Sequence, residues 1–147
     1  MKDKTVLVTG GTGFVGKRLK IVKPNWMYIS SRECDLTNKS QVNQFFNNIK
    51  PDVILHLAAR VGGIKDNIEN QADFYYVNTA MNTNVIHEAH TANINRVLSS
   101  LSTCAFPENI SEFPFNENSF LEWFDKSKNE RKDKTTEGIF APWAIYK

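Results

Sequence analysis

The stretch Val6-Leu7-Val8-Thr9-Gly10-Gly11-Thr12-Gly13-Phe14-Val15-Gly16 leaves this chain few ways to fold. A short apolar run reads as a strand and breaks at once into glycines. Gly10, Gly13 and Gly16 are spaced G-x-x-G-x-x-G, and Val15, Leu19 and Val22 mark the helix that follows. A strand that turns through glycines into a helix presents backbone N–H groups and the positive end of the helix dipole to an anion. Glycine is needed there because a Cβ would obstruct the turn, the approach of a pyrophosphate, or the packing of helix on strand. The spacing, in this strand-to-helix setting, predicts a dinucleotide site. The candidate binding residues are Gly10, Gly13 and Gly16, with Thr12, Phe14 and Val15 between them.

Strands and helices alternate after this loop. Thr5 to Thr9 reads as the first strand, and Lys17 to Val22 as a short helix stopped by Pro24. Trp26 to Ser30 is the second strand. Thr37 or Asn38 can cap a helix whose Val42, Phe45, Phe46 and Ile49 recur at i, i+3, i+4 and i+7, and Pro51 ends it. Val53 to Ala59 is nearly all apolar, as expected of a strand covered on both faces. A long helix is expected from Gln71 to Ala92, with Phe74, Val77, Met81, Val85 and Ala89 as a core or subunit-contact stripe. Arg96 to Ser102 reads as another buried strand. The alternation predicts an α/β fold, a doubly wound parallel sheet with right-handed crossovers.

The character changes after Pro107. The nucleotide-binding part is expected to span 1–117, followed by a charged, polar loop or short helix over 118–138 and the start of a further helix over 139–147. Asp125 to Glu137 carries mixed charge and no apolar residue, which reads as a solvated segment. The 147 residues suffice for one domain, and an apolar share of 41% argues against disorder throughout. The net charge of +2 gives no argument for nucleic acid or a membrane as a partner. No apolar run approaches a membrane span and Met1-Lys2-Asp3-Lys4 leads straight into a strand, so a soluble, cytoplasmic protein is the expectation. Cys34 and Cys104 are too few and too far apart for a disulfide framework or a zinc site, and His87 and His90 read as surface histidines.

Several segments together carry a resemblance. They are the Gly10–Gly16 loop, His56-Leu57-Ala58-Ala59-Arg60-Val61-Gly62-Gly63, Asn78 with Asn84-Val85-Ile86-His87-Glu88-Ala89, and Ser100-Leu101-Ser102-Thr103-Cys104-Ala105-Phe106-Pro107. Over residues 4–117 they resemble the extended short-chain dehydrogenase/reductases, the NAD-dependent epimerase/dehydratase family. The Ala-Ala-x-Val-Gly-Gly and Ser-x-Cys-x-x-Pro pieces narrow the resemblance to epimerase–reductases of GDP-4-keto-6-deoxy-mannose. It implies a Rossmann-like NAD(P)-binding sheet, incomplete at its C-terminal side because the sequence stops at Lys147. The chain then reads as a partial one.

In such folds the end of the second strand meets the adenosine ribose, and an acid there favours a free 2′-hydroxyl. Here Ser30-Ser31-Arg32 stand at that place, and Arg32 offers a forked donor to a 2′-phosphate. Glu33 is the competing acid. The expectation is NADP (NADPH) rather than NAD. Asp35-Leu36 resembles the family's adenine-contacting pair, with a simple turn at Asp35 as the alternative reading. Ala58 and Ala59 would end the third strand where small side chains let the cofactor pass, or would be ordinary small core residues.

The family epimerises carbons beside a ketone and reduces the ketone with hydride from NADPH. Reduction uses a tyrosine whose pKa is lowered by a lysine four residues on, with a serine on the same oxygen; epimerisation uses a cysteine and a histidine. By this resemblance Ser102, Cys104 and Lys147 are the catalytic candidates. Pro142-Trp143-Ala144-Ile145-Tyr146-Lys147 places Trp143 where the tyrosine is expected. An indole N–H donates a hydrogen bond but does not release a proton near neutral pH. Tyr146 is no substitute, because neighbours i and i+1 do not share a helix face.

Three readings follow. The first is an NADP-dependent epimerase–reductase of a GDP-linked deoxy-keto sugar. The second is a non-catalytic NADP-binding module or inactive remnant. The third is an interaction protein that forms a homodimer through the 71–92 helix.

Overall fold

The computed structural model of the chain describes residues 4–100. Ser102, Cys104, Trp143 and Lys147 lie outside the described residues, as do the 118–138 and 139–147 segments. The described part runs β1 (Val6–Thr9), α1 (Phe14–Val22), β2 (Met27–Ile29), α2 (Lys39–Ile49), β3 (Val53–His56), α3 (Ile64–Glu69), α4 (Gln71–Thr91) and β4 (Val97–Ser99). The strands form one parallel four-stranded sheet in the order β2-β1-β3-β4. The chain therefore moves outward from β1 to β2, then crosses back to the far side of β1. That reversal, between β1 and β3, is where open α/β sheets hold their ligands.

Side-chain alternation decides which face becomes the core. Leu7 of β1 lies beside Ile54 of β3, and both are fully buried. With Ile29 they meet Val42 and Phe46 of α2 and Val85 and Ala89 of α4 in one cluster. Burying a side chain such as Phe46 or Val42 contributes about 1.5–3 kcal/mol. Val42 and Phe46 follow the helical period, as the sequence predicts, and α2 and α4 pack directly on each other. The right-handed crossover rule puts α1 on the opposite face of the sheet. There only Gly16 of α1 is buried, and Phe14, Val15, Ile21 and Val22 are exposed.

Helix α2 starts at Asn38, whose side chain accepts from the Gln41 N–H at 3.1 Å. Asn38 is thus the cap, and Thr37 turns instead to Asp35. Helix α1 begins a turn earlier than the apolar pattern suggests, at Phe14, because the glycine loop itself supplies its entry at Gly13. Strand β3 ends at His56 rather than Ala59. Its partner β1 stops at Thr9, where Gly10 turns away with φ +68°, so Leu57 to Ala59 have no strand to pair with on that side. Strand β4 is shorter than expected and exposed along its length, which corrects the expectation of a buried strand. It is the edge of the described sheet, and Leu98 is 65% exposed. The short helix α3 has no counterpart in the apolar periodicity. Among the described residues no helix is long and apolar enough to cross a membrane.

Candidate functional site

The carboxyl ends of β1, β2 and β3 converge on three loops: Gly10–Gly13, Ser30–Leu36 and Leu57–Gly63. The first is the tightest. Gly10 sits at φ +68°, which L side chains rarely adopt, and a Cβ on it would stand 2.8 Å from the Ala58 nitrogen. A Cβ on Gly16 would stand 2.5 Å from the Gly10 carbonyl oxygen. The Gly13 N–H donates to Gly10 O at 2.9 Å, and the Lys17 N–H to Gly13 O at 3.0 Å. No side chain caps α1. Its first turn, with Phe14 94% exposed, leaves the positive helix end open beside the loop. Thr12, Gly13 and Val15 are exposed there too. The loop is tied to β2 as well, because the Gly11 N–H donates to Ile29 O at 2.8 Å.

The turn after β2 organises its own charges. The Glu33 carboxylate accepts from the Ser30 N–H at 2.8 Å and from the Ser30 hydroxyl. The hydroxyl, then the backbone N–H, hold the Glu33 carboxyl below the usual carboxylate range. Glu33 is therefore engaged inside its turn. Arg32 is exposed; its backbone N–H donates to Ser30 Oγ at 3.3 Å, and its charge adds a smaller downward effect on the Glu33 carboxyl. One oxygen of Asp35 accepts from the Thr37 N–H at 2.9 Å and its hydroxyl at 2.7 Å, so Asp35 does build a turn. Leu36 is buried in the core, and its carbonyl accepts from Asn84 Nδ2 at 2.9 Å. Cys34 is also buried, and burial pushes its thiol up, away from reactivity.

The loop after β3 is held by polar groups that the sequence reading left without a role. Buried His56 meets Thr9 Oγ1 through Nδ1 at 2.7 Å and Asn82 Oδ1 through Nε2 at 2.9 Å. The Ala58 N–H donates to Thr9 Oγ1 at 3.3 Å. Burial pushes the His56 pKa down, against a smaller opposing effect of the Asn82 hydrogen bond. Two residues on, the Arg60 N–H donates to Asn78 Oδ1 at 2.8 Å while Asn78 Nδ2 donates to Arg60 O at 2.9 Å. The Arg60 guanidinium lies 4.8 Å from the centre of the Phe74 ring. Ala58 is half-buried and packs against the core, whereas Ala59 is exposed. The sequence hints at polar roles on α4 without naming their partners. Asn78 and Asn82, like Asn84 that holds the loop after β2, stand inside a helix, where asparagine is a poor former and needs another reason to be.

The glycine cradle, the uncapped helix start and the exposed Arg32 suit a phosphate-bearing ligand: backbone donors, no Cβ in the way, and a forked cation at the rim. The residues present thus fit a dinucleotide.

Comparison with known proteins agrees with this geometry. Residues 6–129 match the profile of the NAD dependent epimerase/dehydratase family. The chain is 42% identical over 121 residues to a probable GDP-L-fucose synthase of Drosophila melanogaster, covering 78% of this chain and 37% of that protein. It is 39% identical over 121 residues to a GDP-L-fucose synthase of Dictyostelium discoideum, covering 78% of this chain and 38% of that protein. The chain thus spans well under half the length of these curated relatives. The crystal structure of a GDP-L-fucose synthetase from Naegleria fowleri bound to NADP aligns with a TM-score of 0.68 at 26% identity, covering 90% of this chain and 51% of that one.

Proposed function

Given that the chain belongs to the NAD dependent epimerase/dehydratase family, we propose that residues 4–100 form the NADP(H)-binding part of a GDP-sugar epimerase–reductase. The observation that carries this reading is the Gly10–Gly16 cradle at the reversal point of the sheet, with Arg32 exposed at the end of β2. Gly10, Thr12, Gly13, Phe14, Val15 and Gly16 would hold the pyrophosphate against the start of α1. Arg32 would bind the ribose 2′-phosphate, Asp35 and the Leu36 backbone the adenine, and Ala58 and Ala59 would give the cofactor room past β3. Bound NADPH would supply hydride to a ketone. Ser102 and Cys104 would act at the sugar, and Lys147 would serve the proton donor. The likeness to GDP-L-fucose synthases supports a GDP-linked deoxy-keto sugar as substrate.

A second reading has its own support. Trp143 stands where a tyrosine would donate the proton, and an indole does not do so. In this reading the chain binds NADPH without turning over substrate. Titration of the full chain with NADPH and NADH, followed by fluorescence, tests the shared part: NADPH should bind, and more tightly than NADH. Absence of NADPH binding at millimolar concentration overturns both readings. NADPH consumption with GDP-4-keto-6-deoxy-mannose then selects the enzyme, and binding without consumption selects the module. A homodimer through α4 is supported by its exposed Tyr75, Tyr76 and Ile86, and concentration-dependent sedimentation tests it.

A further inference from the structure

We propose that His56 is a positioning residue for the nucleotide-binding mouth, acting as a neutral link that transmits the placement of α4 to the Ala58 amide and hence to Gly10. The inference deepens the NADP(H)-binding reading above and rests on it.

The argument is one of donors and acceptors. The Thr9 hydroxyl has a single hydrogen and two lone pairs. Its oxygen accepts from the Ala58 N–H at 3.3 Å, so its hydrogen is free to point at His56 Nδ1, 2.7 Å away. Nδ1 is then the acceptor nitrogen, and the proton of neutral imidazole sits on Nε2. Nε2–H in turn donates to Asn82 Oδ1 at 2.9 Å. Every link is thereby satisfied in one direction: Ala58 to Thr9, Thr9 to His56, His56 to Asn82. An imidazolium would make Nδ1 a donor and strand the hydroxyl hydrogen of Thr9, which is fully buried. The elements packed around His56 present Thr9 from β1, Ser99 from β4 and Asn82 from α4, none of them charged.

The far end of this chain touches the cradle. A Cβ on Gly10 would lie 2.8 Å from Ala58 N and 2.9 Å from Ala58 Cα, so the two backbones are in close contact. Asn78, one helical turn before Asn82, holds Arg60 by both its N–H and its carbonyl. Helix α4 therefore fixes the β3 exit at two points, and a shift at Ala58 moves the wall of the Gly10 turn.

The test compares the full chain with Thr9→Val, which keeps the branched shape and removes the hydroxyl, and Thr9→Ser, which keeps the hydroxyl. Nitrogen NMR of the His56 ring should show the neutral form protonated at Nε2 in the wild type, down to pH values below the ordinary histidine range. Thr9→Val should speed exchange of the Ala58 amide and weaken NADPH binding about three- to tenfold, as loss of one hydrogen bond does. Thr9→Ser should restore both. Protonation at Nδ1 in the wild type, or a Thr9→Val protein with wild-type exchange at Ala58, overturns the proposal. If the wild type binds no NADPH, the nucleotide reading fails, while the ring tautomer and Ala58 exchange still judge the link by themselves.

Discussion

Replacing Gly16 with alanine sets two effects of known size against each other. Gly16 lies inside α1, and glycine to alanine in a helix interior is worth about 1 kcal/mol of stabilisation through propensity alone. Against this, the new Cβ would stand 2.5 Å from Gly10 O and 2.8 Å from Gly11 C and Cα. The oxygen contact falls about 0.9 Å short of the 3.4 Å at which ordinary contact begins. All three atoms are backbone, so no side chain can rotate away. Overpacking of this kind costs about 1–3 kcal/mol, and more where backbone must move. The net expectation is a loss of about 1–2 kcal/mol, a drop of roughly 3–8 °C in melting temperature for a domain of this size. NADPH affinity should fall with it, since relief of the clash requires α1 to retreat from the loop. Gly13→Ala is the control. Its Cβ meets only Gly10 O at 3.1 Å, so stability should change by less than about 1 kcal/mol while the space for the pyrophosphate is filled. Urea unfolding and NADPH titration of both variants read the outcome. A Gly16→Ala protein as stable as the wild type, or more so, refutes the reasoning, because propensity would then have won.

Three further outcomes are expected. Arg32→Ala should weaken NADPH binding about tenfold or more and leave NADH binding nearly unchanged, because only the 2′-phosphate loses a charged partner; parallel titrations decide this. The Glu33 carboxyl is held below the usual range by Ser30, so its favourable contribution is complete above that range and is lost as pH falls through its lowered pKa. Carboxyl-carbon NMR should place its midpoint below that of an ordinary glutamate, and Ser30→Ala should move it back up. Asn38→Ala removes the acceptor for the Gln41 N–H and should cost about 0.5–2 kcal/mol in urea unfolding, whereas Thr37→Ala should leave that cap intact.

The features legible in the sequence are those carried by periodicity or by single-residue stereochemistry. Val42 and Phe46 declared the buried face of α2, and Gly10 and Gly16 declared a turn that side chains cannot enter. Strand ends were less legible because pairing is a property of two strands. Val53 to Ala59 is apolar to its end, yet β3 stops at His56 because β1 has already turned. The same holds for β4, whose apolar Val97 and Leu98 suggest burial while its place at the edge of the described sheet exposes them. The clamp on the β3 loop was the least legible part. His56 sits inside an apolar run and reads as a core residue, which it is, but its hydrogen bonds reach Thr9 and Asn82, 47 and 26 residues away. No local pattern encodes partners at that separation.

The cradle and the chemistry therefore rest on different parts of the chain. In the proposed reading, phosphate recognition at Gly10–Gly16 would come from backbone N–H groups, a helix end and the absence of Cβ atoms, and the asparagines of α4 hold the loops around it. None of this depends on a side chain that ionises in the reaction. In the proposed reading, proton donation to a ketone would depend on the side chain at one position, where the sequence resemblance aligns Trp143. On this reading a substitution at that position would remove turnover without disturbing the cradle. Trp143→Tyr separates the two functions directly. NADPH binding should survive the change, since the cradle is untouched. Reduction should appear only if the new phenol stands within reach of Lys147, whose charge would lower its pKa. Loss of NADPH binding in Trp143→Tyr would show that cradle and chemistry are not independent, and would count against the separation drawn here.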